Sequence, residues 1–219
     1  RDRRTPLASM LGFVETLQGP ARDDPTARAR FLDIMREQGR RMARLLDDLL
    51  QLSRIEQSEH MQPANIIDLV GIVRHVADTL STSARDAGVA LKIDAPAELQ
   101  IRGERDELIR VVENLVENAI KYGVSEGAAS PHIDITLRQT PGKAVLSIRD
   151  YGPGIPAQHL PRLTERFYRV DAGQSRAKGG TGLGLSIVKH IVLRHRGELK
   201  ISSPPGEGAE FAITFPLIK

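Results

Sequence analysis

Asn114 and Asn118 stand four residues apart, which puts both amides on one face of a helix, with Lys121 one further turn along and Tyr122 beside it. An amide oxygen is a neutral ligand suited to a hard cation that keeps most of its water and bridges phosphates. Asp150 ends an apolar strand and enters a turn holding Gly152 and Gly154. A carboxylate there can accept a hydrogen bond from an exocyclic amine such as that of adenine, while the glycines let a flat base lie against the backbone. The third stretch, Gly179-Gly180-Thr181-Gly182-Leu183-Gly184, runs into a helix marked by Leu183, Ile187 and Ile191 at spacing four. A glycine loop opening a helix offers unpaired N–H groups and a positive dipole end, which suits phosphate. Each stretch alone has a plainer reading: surface or capping asparagines, a turn-forming aspartate, a flexible turn before a core helix. No Lys-Ser/Thr pair follows the glycines, so the loop is not a Walker A motif. The polar stretch Asp171 to Lys178 before it is no strand, so a dinucleotide fingerprint fits poorly. The order of asparagine helix, Asp-x-Gly-x-Gly turn and glycine loop is what joins them into one nucleotide site.

Two helices precede these motifs. Leu7, Leu11 and Val14 recur at helical spacing up to Leu17, and Gly19-Pro20 stops that helix. Asp24-Pro25 reads as an N-cap with proline at the first helical position. The next helix, from about Pro25 to Glu56, carries Phe31, Met35, Gln38, Met42, Leu45, Leu49 and Leu52 in alternating steps of four and three. This heptad seam predicts a hairpin that dimerises into a four-helix bundle, leaving Met35, Met42, Leu45 and Leu49 exposed in a monomer. The charged positions Arg36, Glu37, Arg40, Arg41, Arg44, Asp47 and Asp48 read as a solvated face. The second helix is expected to span ~48 Å and the first at most ~27 Å, so the first looks cut at its N-terminus.

From Pro63 the pattern changes, which sets the expected domains at 1–60 and 61–219. Asp68 can cap a helix through about Arg85 that Gly88 ends, and Val89 to Ile93 alternates like a strand. A helix over Arg105 to Tyr122, strands over Ile133 to Leu137 and Ala144 to Ile148, a helix to about His195, and strands near Glu198 to Ser202 and Ala209 to Phe215 complete the chain. The fold class is α+β: the helical hairpin, then an α/β two-layer sandwich. Residues 157–181 form a long polar connection of the kind that serves as a lid.

Composition narrows the alternatives. The 219 residues hold no cysteine, which excludes disulfides and thiolate chemistry. No apolar run approaches the ~20 residues of a membrane span, and no signal peptide opens the chain. A net charge of +3, with five Phe, three Tyr and no Trp, does not support nucleic-acid binding. The six histidines lack metal-ligand spacing, and His190 and His195 read as solvated on one helix.

Over essentially its whole length the chain resembles the catalytic core of a sensor histidine kinase. Its Asn114-Leu115-Val116-Glu117-Asn118-Ala119-Ile120-Lys121-Tyr122 is similar to that family's N box, and Asp150-Tyr151-Gly152-Pro153-Gly154 to its G1 box. Glu165-Arg166-Phe167-Tyr168-Arg169 resembles the F box, and Gly180-Thr181-Gly182-Leu183-Gly184 the G2 box. The resemblance implies ATP held between the asparagine helix and a mobile lid, Mg²⁺ on Asn118, adenine read by Asp150, and Lys121, Tyr122 and Arg169 near the phosphates. It implies catalytic roles for Asn114 and for the start of the hairpin. The family's phosphoacceptor box reads His-Glu/Asp-x-x-Thr/Asn-Pro-Leu, and the same register here gives Arg1-Asp2-Arg3-Arg4-Thr5-Pro6-Leu7. Arg1 thus occupies the phosphoacceptor position, Arg3 falls where the family usually has leucine, Asp2 matches the acid/base and Thr5 the residue that helps position water in dephosphorylation.

The function implied is ATP-dependent autophosphorylation on histidine and transfer to an aspartate of a response-regulator receiver domain, with Arg1 blocking the first step in this chain. The partners implied are a second copy of the chain and that regulator, with no nucleic acid and a membrane reached only through an upstream segment of a cytoplasmic core. Two alternatives compete. One is a regulator-binding phosphatase or pseudokinase scaffold, which Arg1 keeps open. The other is an ATP hydrolase of the superfamily shared with type II topoisomerases and Hsp90, whose members use a glutamate four residues before the metal-binding Asn. That position here is Asn114, while Glu113 and Glu117 point ~100° and ~60° away from it.

Overall fold

The computed structural model describes residues 6–57, 61–124, 130–171, 180–204 and 206–218, in two compact units that divide between Leu50 and Gln51. Arg1, Asp2 and Thr5, expected at the phosphoacceptor segment, lie outside the described residues, as does Arg3.

Helix α1 (Pro6–Gln18) and the longer α2 (Pro25–Gln57) form the hairpin. Asp24 Oδ1 accepts from the N–H groups of Thr26 and Ala27, both at 3.0 Å, capping α2 as its Asp-Pro start predicts. The Phe13 and Phe31 rings meet at 5.4 Å, tying the two helices near the turn. The expected seam is only partly the free one. Phe31, Met35, Gln38, Met42 and Leu45 are half-buried, and Leu49 is open. A second apolar line one position over, Leu32, Leu46 and Leu50, is 49, 59 and 58% exposed. The 4-3 pattern found one stripe, whereas α2 carries two. Asp48, read as solvated, is buried, because it falls on the stripe that continues Leu45 toward Leu52 and Ile55.

The division after Leu50 comes ten residues before the expected boundary at 60. The last two turns of α2 cluster with the C-terminal unit, where Leu52 and Ile55 are buried, Glu56 pairs with Arg166, and His190 Nε2 lies 3.9 Å from the same carboxylate.

The C-terminal unit is a two-layer sandwich. Its sheet contains β2 (Ala90–Asp94), β4 (His132–Thr140), β5 (Lys143–Asp150), β6 (Glu198–Ser202) and β7 (Glu210–Pro216), in the order β2-β4-β5-β7-β6. Only β2 and β4 pair in parallel. Along β4, β5 and β7 the residues alternate strictly: Ile133, Ile135, Leu137, Ala144, Leu146, Ile148, Ile213 and Phe215 are buried, and their neighbours are not. Helices α3 (Leu69–Asp86), α4 (Arg105–Tyr122) and α5 (Gly184–Arg194) supply the other layer through Val73, Val76, Leu108, Leu115, Ile187 and Ile191. Each such side chain contributes ~1.5–3 kcal/mol by leaving water.

Two short strands escaped the sequence reading: β1 (Ile66–Asp68) pairs antiparallel with β3 (Gln100–Arg102). Three-residue strands carry too little alternation to register. Asp68 joins them to α3, its carboxylate accepting from Val70, Gly71 and Leu99 N–H at 3.0–3.2 Å. The connection after β5 begins with a 3₁₀ segment, Ala157–Arg162.

Candidate nucleotide-binding site

The site forms where α4, the end of β5 and the start of α5 meet. Asn114 and Asn118 share the half-buried face of α4, since Leu115, Val116 and Ala119 turn into the core. Asn114 Nδ2 donates to Arg110 O at 2.8 Å, which leaves Oδ1 directed at α5. Gly184 opens α5 directly against it: a Cβ on Gly184 would stand 2.4 Å from Asn114 Oδ1. A larger residue here would push the Asn114 amide off its bond to Arg110 O, so this glycine lets α5 open against the asparagine helix with that amide in place.

Asp150 is buried at the end of β5. Its Oδ1 accepts from Gly152 N–H at 3.0 Å and Ala209 N–H at 3.2 Å, and Oδ2 takes no hydrogen bond among the described residues. Burial pushes the carboxyl group's pKa up, opposed by those two backbone donors and by Arg149. The end of α4 lies immediately beneath. A Cβ on Gly123 would come within 2.3 Å of Asp150 Cβ. Ser203 braces the far side of the turn, accepting from Ile155 N–H and donating to Gly208 O, each at 2.7 Å. Gly123, Ser203, Gly208 and Ala209 were missed in the sequence; the only local signal was the glycine pair 206 and 208, which reads as an ordinary hairpin turn.

The connection folds back onto the glycine loop. Phe167 N–H donates to Gly182 O at 2.8 Å, and Arg169 Nη2 donates to Gly180 O at 2.7 Å. Gly154 and Gly182 take φ of 79° and 77°. Phe167 itself sits at φ 63°, a costly conformation for an aromatic residue, with its side chain 57% exposed. Thr181 Oγ1 accepts from Leu183 N–H at 3.3 Å, and Leu183 is buried. The structure thus brings Asn114, Phe167, Arg169, Gly180, Thr181, Gly182, Leu183 and Gly184 into one linked cluster. Asp150 and Gly152 are joined to the end of α4 through Gly123.

Other expected site residues are engaged elsewhere. Tyr168 OH is 2.6 Å from His159 Nδ1, and Arg162 lies 4.3 Å over its ring. Lys121 Nζ pairs with Glu117 Oε2 at 2.5 Å, and Glu113 lies 4.0 Å from Arg110. Tyr122 is half-buried at the last position of α4. Among the described residues no group of three or more His, Cys, Asp or Glu side chains could hold a metal ion. A cation at Asn118 would therefore draw most of its ligands from phosphate and water, as Mg²⁺ does. The expectation of a solvated His195 fails: its ring is buried where α5 ends against the start of α4.

A family model described as the histidine kinase-, DNA gyrase B-, and HSP90-like ATPase matches residues 103–219, and one described as the His Kinase A (phospho-acceptor) domain matches residues 2–58. The phosphate regulon sensor protein PhoR of Pseudomonas aeruginosa is 40% identical over 215 residues, covering 97% of this chain and 47% of that protein. The chain spans about half the length of the curated relatives it matches. Among solved structures, the mycobacterial sensor histidine kinase MprB matches 70% of this chain and 97% of its own at a TM-score of 0.60 and 28% identity. The histidine kinase ThkA in complex with the response regulator protein TrrA matches 98% of this chain and 58% of its own at 0.72 and 20% identity, a likeness of fold. No described helix is long and apolar enough to cross a membrane. With its matched regions in this order, the chain belongs to the histidine kinase-, DNA gyrase B- and HSP90-like ATPase family and is a histidine kinase catalytic core.

Proposed function

We propose that this core binds ATP with Mg²⁺, serves as a dimer in transfer from ATP to histidine and on to a response-regulator aspartate, and in this chain lacks the first acceptor because Arg1 occupies its position. The observation that carries the nucleotide function is the half-used carboxylate of Asp150. Two backbone N–H groups fix Oδ1, so Oδ2 is a directed acceptor at the end of α4. An exocyclic amine is the ligand group that such an acceptor suits.

Bound ATP would supply the reactive phosphoryl group, with Mg²⁺ neutralising its charge. Asn118 offers the neutral oxygen for the cation, and Gly184, Leu185 and Ser186 at the start of α5 have N–H groups without an intrahelical acceptor, aligned with the helix dipole. Asn114 positions that helix start through its contact with Gly184. Arg169, held on Gly180 O, would place its charge beside the glycine loop. Glu113 and Glu117 face cations of their own helix, which supports transfer to a protein over activation of water.

The exposed line Leu32, Leu46 and Leu50 supports dimerisation through α2, since a partner that covered it would gain roughly half of the ~1.5–3 kcal/mol that full burial of each leucine gives. A response-regulator receiver is proposed as the partner, the class of protein that ThkA binds in its solved complex. Arg1 stays protonated near neutral pH with delocalised lone pairs, so it cannot act as the nucleophile. Thr5 would leave dephosphorylation of a regulator possible, and the core is expected on the cytoplasmic side of a membrane-anchored sensor.

Calorimetric titration with a non-hydrolysable ATP analogue tests the nucleotide function. Saturable binding that weakens sharply when Mg²⁺ is chelated is expected, and no binding heat at millimolar nucleotide with Mg²⁺ present would refute it.

A further inference from the structure

Helices α4 and α5 run antiparallel, and α5 meets α4 at both of its own ends. At one end Gly184 rests on the Asn114 amide. At the other, about 15–17 Å away at 1.5 Å per residue, the last turn of α5 meets the start of α4. There Arg194 Nη1 pairs with Glu107 Oε2 at 2.5 Å, and His195 Nε2 accepts from Glu104 N–H at 3.0 Å. The second ring nitrogen, Nδ1, lies 2.8 Å from Ile191 O. A backbone N–H can only donate, so Nε2 carries the lone pair and Nδ1 carries the proton given to Ile191 O. The neutral ring therefore spends both nitrogens, one on each helix.

The surroundings leave the ring no other place. Its side chain is fully enclosed, with the Phe215 ring edge-on at 6.1 Å. Gly103 closes over it, since a Cβ there would approach the imidazole to 3.2 Å. Glu104 supplies no side-chain cap to α4, its carboxylate being taken by Asn65 Nδ2 at 2.9 Å.

We infer that His195 is a positioning residue for the nucleotide site, a pin that holds the start of α4 to the end of α5 and so sets the register between the Asn114–Asn118 face and the glycine-loop end of α5. This role presupposes the nucleotide-binding function. The charged groups around the ring are Glu104 and Glu107 on α4 and Arg194 on α5; Phe215 of β7 brings no charge. Burial keeps the imidazole's pKa below its ordinary value; the Ile191 carbonyl and the two glutamates pull it up, and Arg194 pulls it down. A second proton would land on Nε2, facing the Glu104 N–H, so protonation opens the pin. The unfolded chain takes its proton first as pH falls, so the pin's contribution declines below the ordinary imidazole range and is lost through the lower folded value.

The test uses the full chain, His195→Phe, which keeps a buried ring without either hydrogen bond, and His195→Gln, which keeps an acceptor that does not titrate. Affinity for a non-hydrolysable ATP analogue with Mg²⁺ is measured by calorimetry from pH 7.5 to pH 5, beside melting temperature. At pH 7.5 the Phe variant should bind about tenfold more weakly and the Gln variant within about threefold of the parent. As pH falls through the folded imidazole's lowered range, the parent's advantage over Phe should shrink and Gln should gain on the parent. These ratios cancel the titration of the nucleotide and of Asp150, and a role in stability alone would shift melting without moving them. Equal affinities for parent and Phe across the range would overturn the inference while leaving nucleotide binding intact. If the Phe variant fails to fold, a Gln variant that keeps the acceptor yet binds about tenfold or more weakly than the parent at pH 7.5 overturns it. Absence of binding by the parent would overturn the nucleotide function, and the pin with it.

Discussion

Replacing Asp150 by asparagine changes one atom whose place is dictated by its neighbours. Oδ1 is held by Gly152 and Ala209 N–H at 3.0 and 3.2 Å, and both donors survive the substitution. The asparagine must keep its oxygen there, which puts its NH₂ where Oδ2 was. On the proposed reading, an acceptor for adenine's amine becomes a donor facing a donor. Loss of a hydrogen bond to a charged group costs ~1.5–3 kcal/mol, or about 10- to 100-fold in affinity. The same switch favours hypoxanthine, which carries an oxygen in place of the amine. Calorimetry with ATP and ITP should show the parent preferring ATP and Asp150→Asn losing or inverting that preference. Stability should move the other way. Burial raises the Asp150 pKa, so its ionised form disfavours the folded chain at pH 7, and that cost is absent below the unfolded carboxylate range. The variant should melt no lower than the parent at pH 7, and any gap should close in acid. An unchanged ATP-to-ITP ratio would refute the assignment of Asp150 as the base-reading acceptor.

Gly184→Ala would force a methyl group to 2.4 Å from Asn114 Oδ1, and turning the amide off its Arg110 O bond or shifting a helix should cost ~1–3 kcal/mol, read as weaker nucleotide binding and a lower melting temperature. Unchanged binding would mean that α4 and α5 adjust independently. Leu46→Asp together with Leu50→Asp should shift the chain to its 24.1 kDa monomer in sedimentation velocity at micromolar concentration, while Met35→Ala should reduce hairpin stability more than association. A parent already monomeric there would refute the dimer.

The sandwich was legible because its elements are long and regular. The α4 bounds, Arg105 to Tyr122, follow from the spacing of Leu108, Val112, Leu115 and Ala119, and Asp68 announces α3 through its capping chemistry. Of the candidate site, Asn114, Asn118, Asp150 and the glycines carried a local signal of their own. What supports them did not. Ser203 lies 48 residues from the Ile155 it holds and Ala209 59 residues from Asp150, and Gly123 looks like any helix stop until Asp150 is seen against it. His195 and Asp48 read as surface because a charged or polar type suggests water, whereas their burial depends on the register between elements. On α2 the 4-3 spacing marked Leu49, which is exposed, but not Leu32, Leu46 and Leu50 beside it, because exposure of a helix face depends on what packs against it.

The central claim is an ATP-dependent phosphotransferase core whose acceptor position holds arginine. It is tested most directly by incubating the chain and Arg1→His with γ-labelled ATP and Mg²⁺. The expected result is no label on the unmodified chain and an acid-labile, base-stable phosphoryl group on Arg1→His. Label on the unmodified chain, or none on an Arg1→His variant that binds the nucleotide, would contradict it.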